Sequence, residues 1–355
     1  MIARTTVYSV RGGDTTQIIE TARQLKKLGI LIEIKLANEI IAYDNFDLIH
    51  FFNITRPADI LFHVRKSGKP FVVSTILINY SEYDKQHRTG IAGALLRFLS
   101  TDGAEYLKTI SRWIIGRDKL VSFSFIWKGQ QRVIIEILKR ASLVLPNSLS
   151  EYERLKQQYD CTPRYIVVPN GIDPDLFTFD PTIKKDPNLV LCVARIEGIK
   201  NQLNLIKALN STNYKLLLIG TFAPNQGGYF QSCKEKAAAN IQFIGQLSQK
   251  ELIQYYQMAK VHVLPSWFES TGLSSLEAAA MGCNIVITEK GDAKEYFGND
   301  AFYCDSGIPE SIYKAVELAA SVRTNTSLQN KVLSQFTWQQ AAIKTIAAYK
   351  EVLKQ

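Results

Sequence analysis

Short runs of β-branched and aliphatic residues alternate with helix-length amphipathic segments along the second half of this 355-residue chain. Apolar runs of this length, bounded by turn signals, are typical of strands buried on both faces. The segments between them have apolar residues at three-and-four spacing, which indicates helices. The alternation predicts a parallel sheet with helices on both faces. The predicted strands are "LVLCVA" (189–194), "KLLLIG" (215–220), "IQFIG" (241–245), "VHVLPS" (261–266) and "NIVITE" (284–289).

The first half repeats this scheme less regularly, so two α/β units are expected. Its first helix is predicted from Thr15 to Leu28, and a last helix of the chain follows Thr337 as N-cap. Between the halves, residues 167–188 contain four prolines and an Asn-Gly turn, which break both periods and predict a linker. The predicted strands of the first half are "TTVYSV", "LIEIKLA", "FDLIHFF", "PFVVSTILI" and "ASLVLP".

Charge and cysteine usage narrow the class of protein. The formal net charge is +9, and the first 170 residues hold 24 Lys and Arg against 16 Asp and Glu. The five cysteines are scattered, which favours free buried thiols in a reducing cytosol over disulfides or zinc. The start lacks the pattern of a secretory signal, and no apolar run reaches the ~18 residues of a membrane span. A cytoplasmic protein is therefore expected.

The stretch "SWFESTGLSSLEAAAMG" (266–282) follows a predicted strand and enters a predicted helix. Two carboxylates, Glu269 and Glu277, are eight positions apart in it. The first N–H groups of such a helix have no partner within the helix, and the helix dipole favours an anion there. The small residues Ser270, Thr271 and Gly272 let the anion approach. A strand–helix junction alone is more often only a feature of the fold.

Cations are predicted at the same edge of the sheet. In "VARIEGIKNQ", Arg195 ends the first strand of the second half and Lys200 follows five residues later. Ligands of open α/β sheets bind outside the carboxyl ends of the strands, where both elements lie. An isolated Arg/Lys pair is usually a solvated surface, but the two elements together favour a site for a diphosphate.

These residues resemble the family-four glycosyltransferases, also called glycosyl transferases group 1. "FESTGLSSLEAAAMGCNIVIT" is similar to the family's Glu-x7-Glu motif, and "VARIEGIKNQ" to its Arg and Lys. "VVPNGIDPDLF" resembles its interdomain segment, and "RGGDTTQIIETARQLKKLG" its N-terminal glycine loop and first helix. The resemblance implies the GT-B fold: two Rossmann-like parallel-sheet domains facing across a cleft, with a C-terminal helix crossing back. The domains would span 1–175 and 186–335, with the helix at 336–355.

The resemblance also implies a role for each matching residue. Glu269 would contact the hydroxyls of the donor sugar, and Glu277 the ribose. Arg195 and Lys200 would bind the diphosphate leaving group. The donor-binding set implied in this way is Gly12, Gly13, Leu247, Ser270, Thr271, Gly272, Leu273 and Glu277.

The implied activity is retaining, metal-independent transfer of a sugar from a UDP- or GDP-sugar to a glycan or lipid-linked acceptor. No cofactor is expected, and the implied setting is the biosynthesis of a surface polysaccharide such as capsule or lipopolysaccharide. A non-catalytic nucleotide-sugar or glycan binder of the same fold is the alternative. Nucleic-acid binding rests on charge alone, and a dinucleotide oxidoreductase is disfavoured because no GxGxxG follows a strand.

Three segments depart from the pattern or add to it. Where the family usually carries a histidine that reaches the donor sugar, this chain reads "ILINYSEYDKQHR", with Asn79, Tyr80, Tyr83 or Asp84 as candidate substitutes. "DPD" (173–175) resembles a metal-binding motif but is composed of turn residues. The segment 106–140 holds eight Lys and Arg among aromatic residues. It is either a contact surface for an anionic membrane or an ordinary amphipathic helix pair.

Overall fold

The computed structural model describes residues 1–79, 83, 103 and 123–354, with the backbone alone at 123–127. The chain divides into two compact units. The first contains the described residues of 1–77, 94–170 and 338–355, and the second contains those of 78–93 and 171–337. The final segment therefore belongs to the same unit as the N-terminus.

The described part of the first unit is built on a parallel sheet in the order β2-β1-β3-β4-β5. Every pairing in it is parallel, as the sequence predicts. Its elements are β1 (Ile2–Ala3), α1 (Gly13–Lys27), β2 (Lys35–Leu36), a 3₁₀ turn (Tyr43–Asn45), β3 (Ile49–Phe52), α2 (Pro57–Ser67), β4 (Phe71–Ser74), α3 (Phe123–Arg140), β5 (Leu143–Leu145), α4 (Leu149–Tyr159) and, from the end of the chain, α12 (Trp338–Leu353).

The strand predicted over "TTVYSV" is wrong. Residues 5–10 form turns, and β1 ends before them at Ala3. The guanidinium of Arg4 donates to Thr6 Oγ1 at 2.7 Å and to the carbonyl oxygen of Val10 at 2.6 Å, and forms an ion pair with Asp14 at 2.6 Å. These bonds fold the segment around one partly buried cation, which β-branched composition alone does not reveal.

The last helix, α12, packs in the first unit. The hydroxyl of Tyr349 forms a 2.7 Å hydrogen bond with Nδ1 of His50, a buried residue of β3. The other ring nitrogen of this histidine, Nε2, forms a 2.9 Å hydrogen bond with Ser74 Oγ on β4. Burial lowers the pKa of His50 well below its ordinary value, so its ring is neutral. A buried polar chain thus joins the end of the protein to its N-terminal sheet.

The second unit is built on a parallel sheet in the order β11-β10-β9-β6-β7-β8. The strand order reverses at the β6–β9 pair, because the chain leaves β6 toward β7 and β8 and later returns to β9 on the other side. Crevices at such a reversal are where open α/β sheets bind ligands. The elements are β6 (Asp186–Val193), a 3₁₀ turn (Gly198–Lys200), α5 (Gln202–Leu209), β7 (Lys215–Ile219), α6 (Gly227–Lys236), β8 (Ile241–Ile244), α7 (Gln249–Met258), β9 (Ala259–Leu264), α8 (Leu273–Ala280), β10 (Asn284–Thr288), α9 (Ala293–Phe297), β11 (Phe302–Cys304), α10 (Pro309–Ser321) and α11 (Thr326–Gln335).

Of the basic segment 106–140, residues 106–122 lie outside the described part of the chain. In α3, the side chains of Val133, Ile134 and Ile137 are fully buried in the core of the first unit. On the other face, Glu136 forms ion pairs with Lys128 at 2.6 Å and with Arg65 at 3.0 Å. The end of this segment is therefore an amphipathic helix with several of its charges paired within the protein.

All five cysteines are free, and Cys192, Cys233, Cys283 and Cys304 are buried. Over the described ranges, no helix is long and apolar enough to cross a membrane.

Candidate functional site

The loop that follows β6 carries Arg195. Its guanidinium is about one third exposed and forms a 2.9 Å ion pair with Glu197 Oε1. The loop is fixed from both sides, because Gln202 Nε2 donates to the carbonyl oxygen of Arg195 at 2.8 Å and the amide of Ile196 donates to Thr221 at the end of β7. The arginine thus stands at the carboxyl edge of the sheet on an immobilised backbone.

Lys200 is the last residue of the 3₁₀ turn in the same loop. The next residue, Asn201, holds this loop in place. Asn201 has left-handed backbone (φ 58°), and its side-chain Nδ2 donates to the carbonyl oxygens of Pro265 at 3.1 Å and Ser306 at 2.6 Å. The amide of Trp267 donates to the carbonyl oxygen of Ile199 at 3.0 Å. These bonds tie the Lys200 loop directly to the loop after β9.

Glu269 lies in that second loop and meets Lys200. Lys200 Nζ is 2.8 Å from Glu269 Oε2, and the two side chains are 19% and 9% exposed. The carboxylate also accepts from Ser266 Oγ at 3.0 Å and from the amide of Gly272 at 3.2 Å. Two residues that the sequence places 69 positions apart are therefore in direct contact.

The backbone of Glu269 is held by the loop after β10. Its amide donates to Lys290 at 3.0 Å, and its carbonyl oxygen accepts from Asp292 at 2.9 Å. A Cβ on the intervening Gly291 (φ 108°) would lie 2.2 Å from that carbonyl oxygen. Only glycine allows this close approach, so Gly291 helps to fix the backbone from which the Glu269 side chain extends.

The start of α8 is the third part of the site, after the loops that follow β6 and β9. Gly272 is its N-cap, with left-handed backbone (φ 71°), and Leu273 is its first residue. The amide of Gly272 already has a partner in the Glu269 side chain, while Thr271 is buried against Tyr296 with a 3.3 Å hydroxyl–hydroxyl bond. The positive end of the helix therefore lies beside Lys200 and Glu269, on the same edge of the sheet.

Glu277, on the same helix, is 9% exposed and bonds two neutral groups. Its Oε1 accepts from Gln249 Nε2 at 2.9 Å, and its Oε2 accepts from the Tyr256 hydroxyl at 3.0 Å. Burial raises the pKa of Glu277 to about 7, against the effect of these two hydrogen bonds, which lower it. The carboxyl group therefore titrates near neutral pH.

The remaining predicted residues fall in three places. Leu247 is half-buried in the loop after β8, and Ser270 is half-buried beside Glu269. Gly12 and Gly13 belong to the first unit, at the start of α1, where the amide of Gly12 donates to Thr15 Oγ1 at 3.2 Å.

The candidates for the missing histidine are only partly described. Tyr80 and Asp84 lie outside the described residues. Tyr83 clusters with the second unit, and its hydroxyl lies against Gly198, where an added Cβ would be 1.8 Å from it. Tyr83 thus contacts the loop between Arg195 and Lys200, whereas Asn79 is half-buried.

The "DPD" segment is a turn. Asp173 Oδ1 accepts from the amide of Asp175 at 3.2 Å, and the carbonyl oxygen of Asp173 accepts from the amides of Leu176 and Phe177. In the described ranges, no group of three or more His, Cys, Asp or Glu side chains is arranged to hold a metal ion.

Sequence reasoning missed the partners of the predicted residues. Glu197, Ser266, Gln249, Tyr256 and Gly291 each bond or constrain one of them. Glu197 and Ser266 lie within three residues of a predicted site residue, and Gly291, three residues after the end of β10, is a glycine that the sequence shows at a strand end. Gln249 and Tyr256 carried none, because they reach Glu277 from another helix.

Part of the chain matches a known family of sequences. Residues 175–331 match the family described as Glycosyl transferases group 1. The chain is 24% identical over 326 residues to the N-acetylgalactosamine-N,N'-diacetylbacillosaminyl-diphospho-undecaprenol 4-alpha-N-acetylgalactosaminyltransferase of Campylobacter jejuni, covering 83% of each chain. It is 27% identical over 196 residues to a glycogen synthase of Mycobacterium tuberculosis, with 52% of this chain and about half (47%) of that protein aligned.

Solved structures with the same fold cover nearly the whole chain. The sucrose-phosphate synthase of Thermosynechococcus elongatus has a TM-score of 0.74 at 16% identity, over 97% of this chain and 94% of that one. HepE of Anabaena, solved in complex with UDP, has a TM-score of 0.69 at 16% identity, over 99% of both chains. The sequence match and the two parallel-sheet units lead to one conclusion: residues 175–331 match glycosyl transferases group 1, and the chain has the GT-B fold.

Proposed function

We propose that this glycosyltransferase moves a sugar from a UDP- or GDP-sugar to a glycan or lipid-linked acceptor, with retained anomeric configuration and without a divalent metal. The observation that carries the proposal is the convergence of Arg195, Lys200 and Glu269 at the β6–β9 reversal, beside the N-terminus of α8. Two cations, a helix end and a carboxylate suit the two chemical parts of a nucleotide sugar, the diphosphate and the sugar hydroxyls.

Arg195 and Lys200 are the groups for the diphosphate. A guanidinium can bind two phosphate oxygens at once, and an ammonium adds a point charge. In the free protein each is paired with a carboxylate, at 2.9 Å and 2.8 Å. The donor would therefore exchange protein carboxylates for phosphate oxygens, which limits the desolvation cost of binding because the cations are already partly dehydrated.

In the proposed transfer, the bond between the anomeric carbon and the diphosphate oxygen breaks while the acceptor hydroxyl attacks from the same face. The acceptor's proton passes to the departing diphosphate. Negative charge grows on the leaving group as the bond breaks, so cations and N–H groups fixed before the reaction stabilise the transition state more than the ground state.

Glu269 would accept hydrogen bonds from the sugar hydroxyls, and Glu277 from the ribose. On the resemblance alone, the proposal keeps Leu247, Ser270, Thr271, Gly272, Leu273, Gly12 and Gly13 as donor-binding residues.

The proposed acceptor class is supported by the name of the C. jejuni relative, which specifies a diphospho-undecaprenol acceptor. The proposed setting, surface polysaccharide biosynthesis, rests on the family resemblance alone. We place the protein in the cytoplasm, in peripheral contact with an anionic membrane through 106–140. Co-sedimentation with liposomes tests this contact. We expect binding to vesicles rich in anionic lipid that weakens with salt. Equal absence from neutral and anionic vesicles would contradict it.

A thermal-shift panel of UDP-, GDP-, ADP- and CMP-sugars tests the proposed donor. A ligand that binds only the folded state at about 100 times its Kd adds ~2.7 kcal/mol of stability. For a domain of this size we expect the matching donor to raise Tm by ~5 to 10 °C. No shift with any member would contradict the proposal. A shift without release of nucleoside diphosphate would favour the non-catalytic binder.

A further inference from the structure

Helix α7 presents two hydrogen-bond donors to Glu277 from one of its faces. Gln249 is the first residue of the helix and Tyr256 is seven residues later, so the two side chains are two turns apart on the same side. The start of the helix is fixed by a capping box, in which Ser248 Oγ accepts from the amide of Glu251 and Glu251 Oε2 accepts from the amide of Ser248. The position of Gln249 is therefore set by the backbone.

The two donors take different oxygens of the carboxylate. Gln249 Nε2 bonds Oε1 and the Tyr256 hydroxyl bonds Oε2. An ionised carboxylate has about four acceptor positions, two on each oxygen. One position on each oxygen therefore remains for a ligand, which matches a pair of neighbouring hydroxyls such as those of a ribose.

We propose that Gln249 is a positioning residue for the nucleotide: with Tyr256 it holds the Glu277 carboxylate so that one acceptor position on each oxygen meets the ribose hydroxyls. The proposal rests on the proposed function, because Glu277 receives the ribose only there. Gln249 is exposed, whereas Tyr256 is fully buried, so Gln249 can be changed with little effect on the core.

Ionisation of Glu277 links this geometry to pH. Two hydroxyls require acceptors on both oxygens, and a protonated carboxyl group turns one of them into a donor. The affinity for the nucleotide sugar should therefore be highest above the pKa of Glu277, about 7, and should fall as the pH decreases through this value. Because the bond from Gln249 lowers that pKa, its loss should move the decline to higher pH.

The substitutions of Gln249 leave the other titratable groups around Gln249 and Glu277 in place. Burial raises the pKa values of Tyr256 and Cys283 and lowers that of His262 on β9 to about 3. Lys185 donates to the carbonyl oxygens of Tyr256 at 2.9 Å and Met281 at 2.9 Å, and burial lowers its pKa. On α11, Lys331 lies over the ring of Phe336.

The test is calorimetric titration with UDP-glucose or GDP-mannose, whichever shifts Tm, from about pH 5.5 to 8.5. A nucleotide sugar is used because the terminal phosphate of a free diphosphate titrates in this range. For the wild type we expect Kd to rise about tenfold per pH unit below about 7. In Gln249→Leu, the rise in Kd should begin at a pH about one unit higher, since a hydrogen bond to a charged group is lost. Gln249→Glu, which places a second carboxylate there, should raise that pH further.

Gln231→Leu is the matched control. Gln231 Nε2 makes a 3.0 Å bond to Glu235 on the exposed face of α6, so its loss should leave the pH profile unchanged. Superimposable profiles for the wild type and Gln249→Leu, with the nucleotide sugar bound, would overturn the inference and leave the proposed function intact. Failure of the wild type to bind at any pH would instead overturn the proposed function.

Discussion

Replacing Arg195 with alanine is expected to slow release of nucleoside diphosphate from the donor by about 10²- to 10³-fold, the usual cost of removing one fixed group that stabilises developing charge. The expected change in stability is small. The guanidinium is 38% exposed and its ion pair with Glu197 is solvent-screened, and such pairs contribute about 0 to 1 kcal/mol. The measurement is steady-state release of nucleoside diphosphate, together with Tm.

Arg164→Ala is the control for this substitution. Arg164 makes a similar exposed ion pair with Glu351, at 2.5 Å, in the other unit. It should lower neither turnover nor Tm appreciably. A folded Arg195→Ala protein with wild-type turnover would refute the assignment of the diphosphate site.

Glu269→Gln is expected to abolish most activity and also to lower stability. The amide keeps the size of the side chain but removes the negative charge 2.8 Å from the Lys200 ammonium, which is 19% exposed. Removing one partner of a buried ion pair is strongly destabilising, and for this partly exposed pair we expect about 2 to 3 kcal/mol, or a fall in Tm of ~5 to 10 °C. Turnover should fall by at least about 10²-fold, because the group proposed for the sugar hydroxyls is gone.

The double variant Lys200→Met/Glu269→Gln separates the two effects. Because the ammonium that faced Glu269 is removed as well, Tm should recover part of the loss, while turnover stays low. Glu310→Gln is the control for stability, since its pair with Lys314 is 65% and 67% exposed and should matter little. Wild-type turnover in Glu269→Gln would contradict the role of this residue.

The strands of the second unit could be predicted well from the sequence, and those of the first less well. β7, β8 and β10 begin at the residues predicted and end one residue early. β7 and β10 are buried on both faces, so their apolar runs are continuous and visible, whereas β8 lies at the edge of the sheet and is only partly buried. At the N-terminus, the hydrogen bonds of Arg4 hold the β-branched run "TTVYSV" in turns. The strand predicted over "LIEIKLA" is shorter in the structure, where β2 spans only Lys35–Leu36.

The site was predictable as a set of positions. Arg195, Lys200 and Glu269 lie in the loops that follow strands visible in the sequence, and the carboxyl ends of parallel strands share one edge. Their mutual contacts were not predictable. The Lys200–Glu269 pair depends on Asn201, which bonds Pro265 and Ser306, and on the close approach at Gly291.

The sequence by itself determined the two parallel α/β units, the edge of the sheet that carries the charged residues, and the small residues at the start of α8. These follow from local periodicity and from the rule that parallel strands end together. Only the tertiary structure decided which charges neutralise one another and what surrounds Glu277. A carboxyl group acquires a pKa of about 7 through burial against residues from another helix, and burial is a property of packing that no spacing along the chain records.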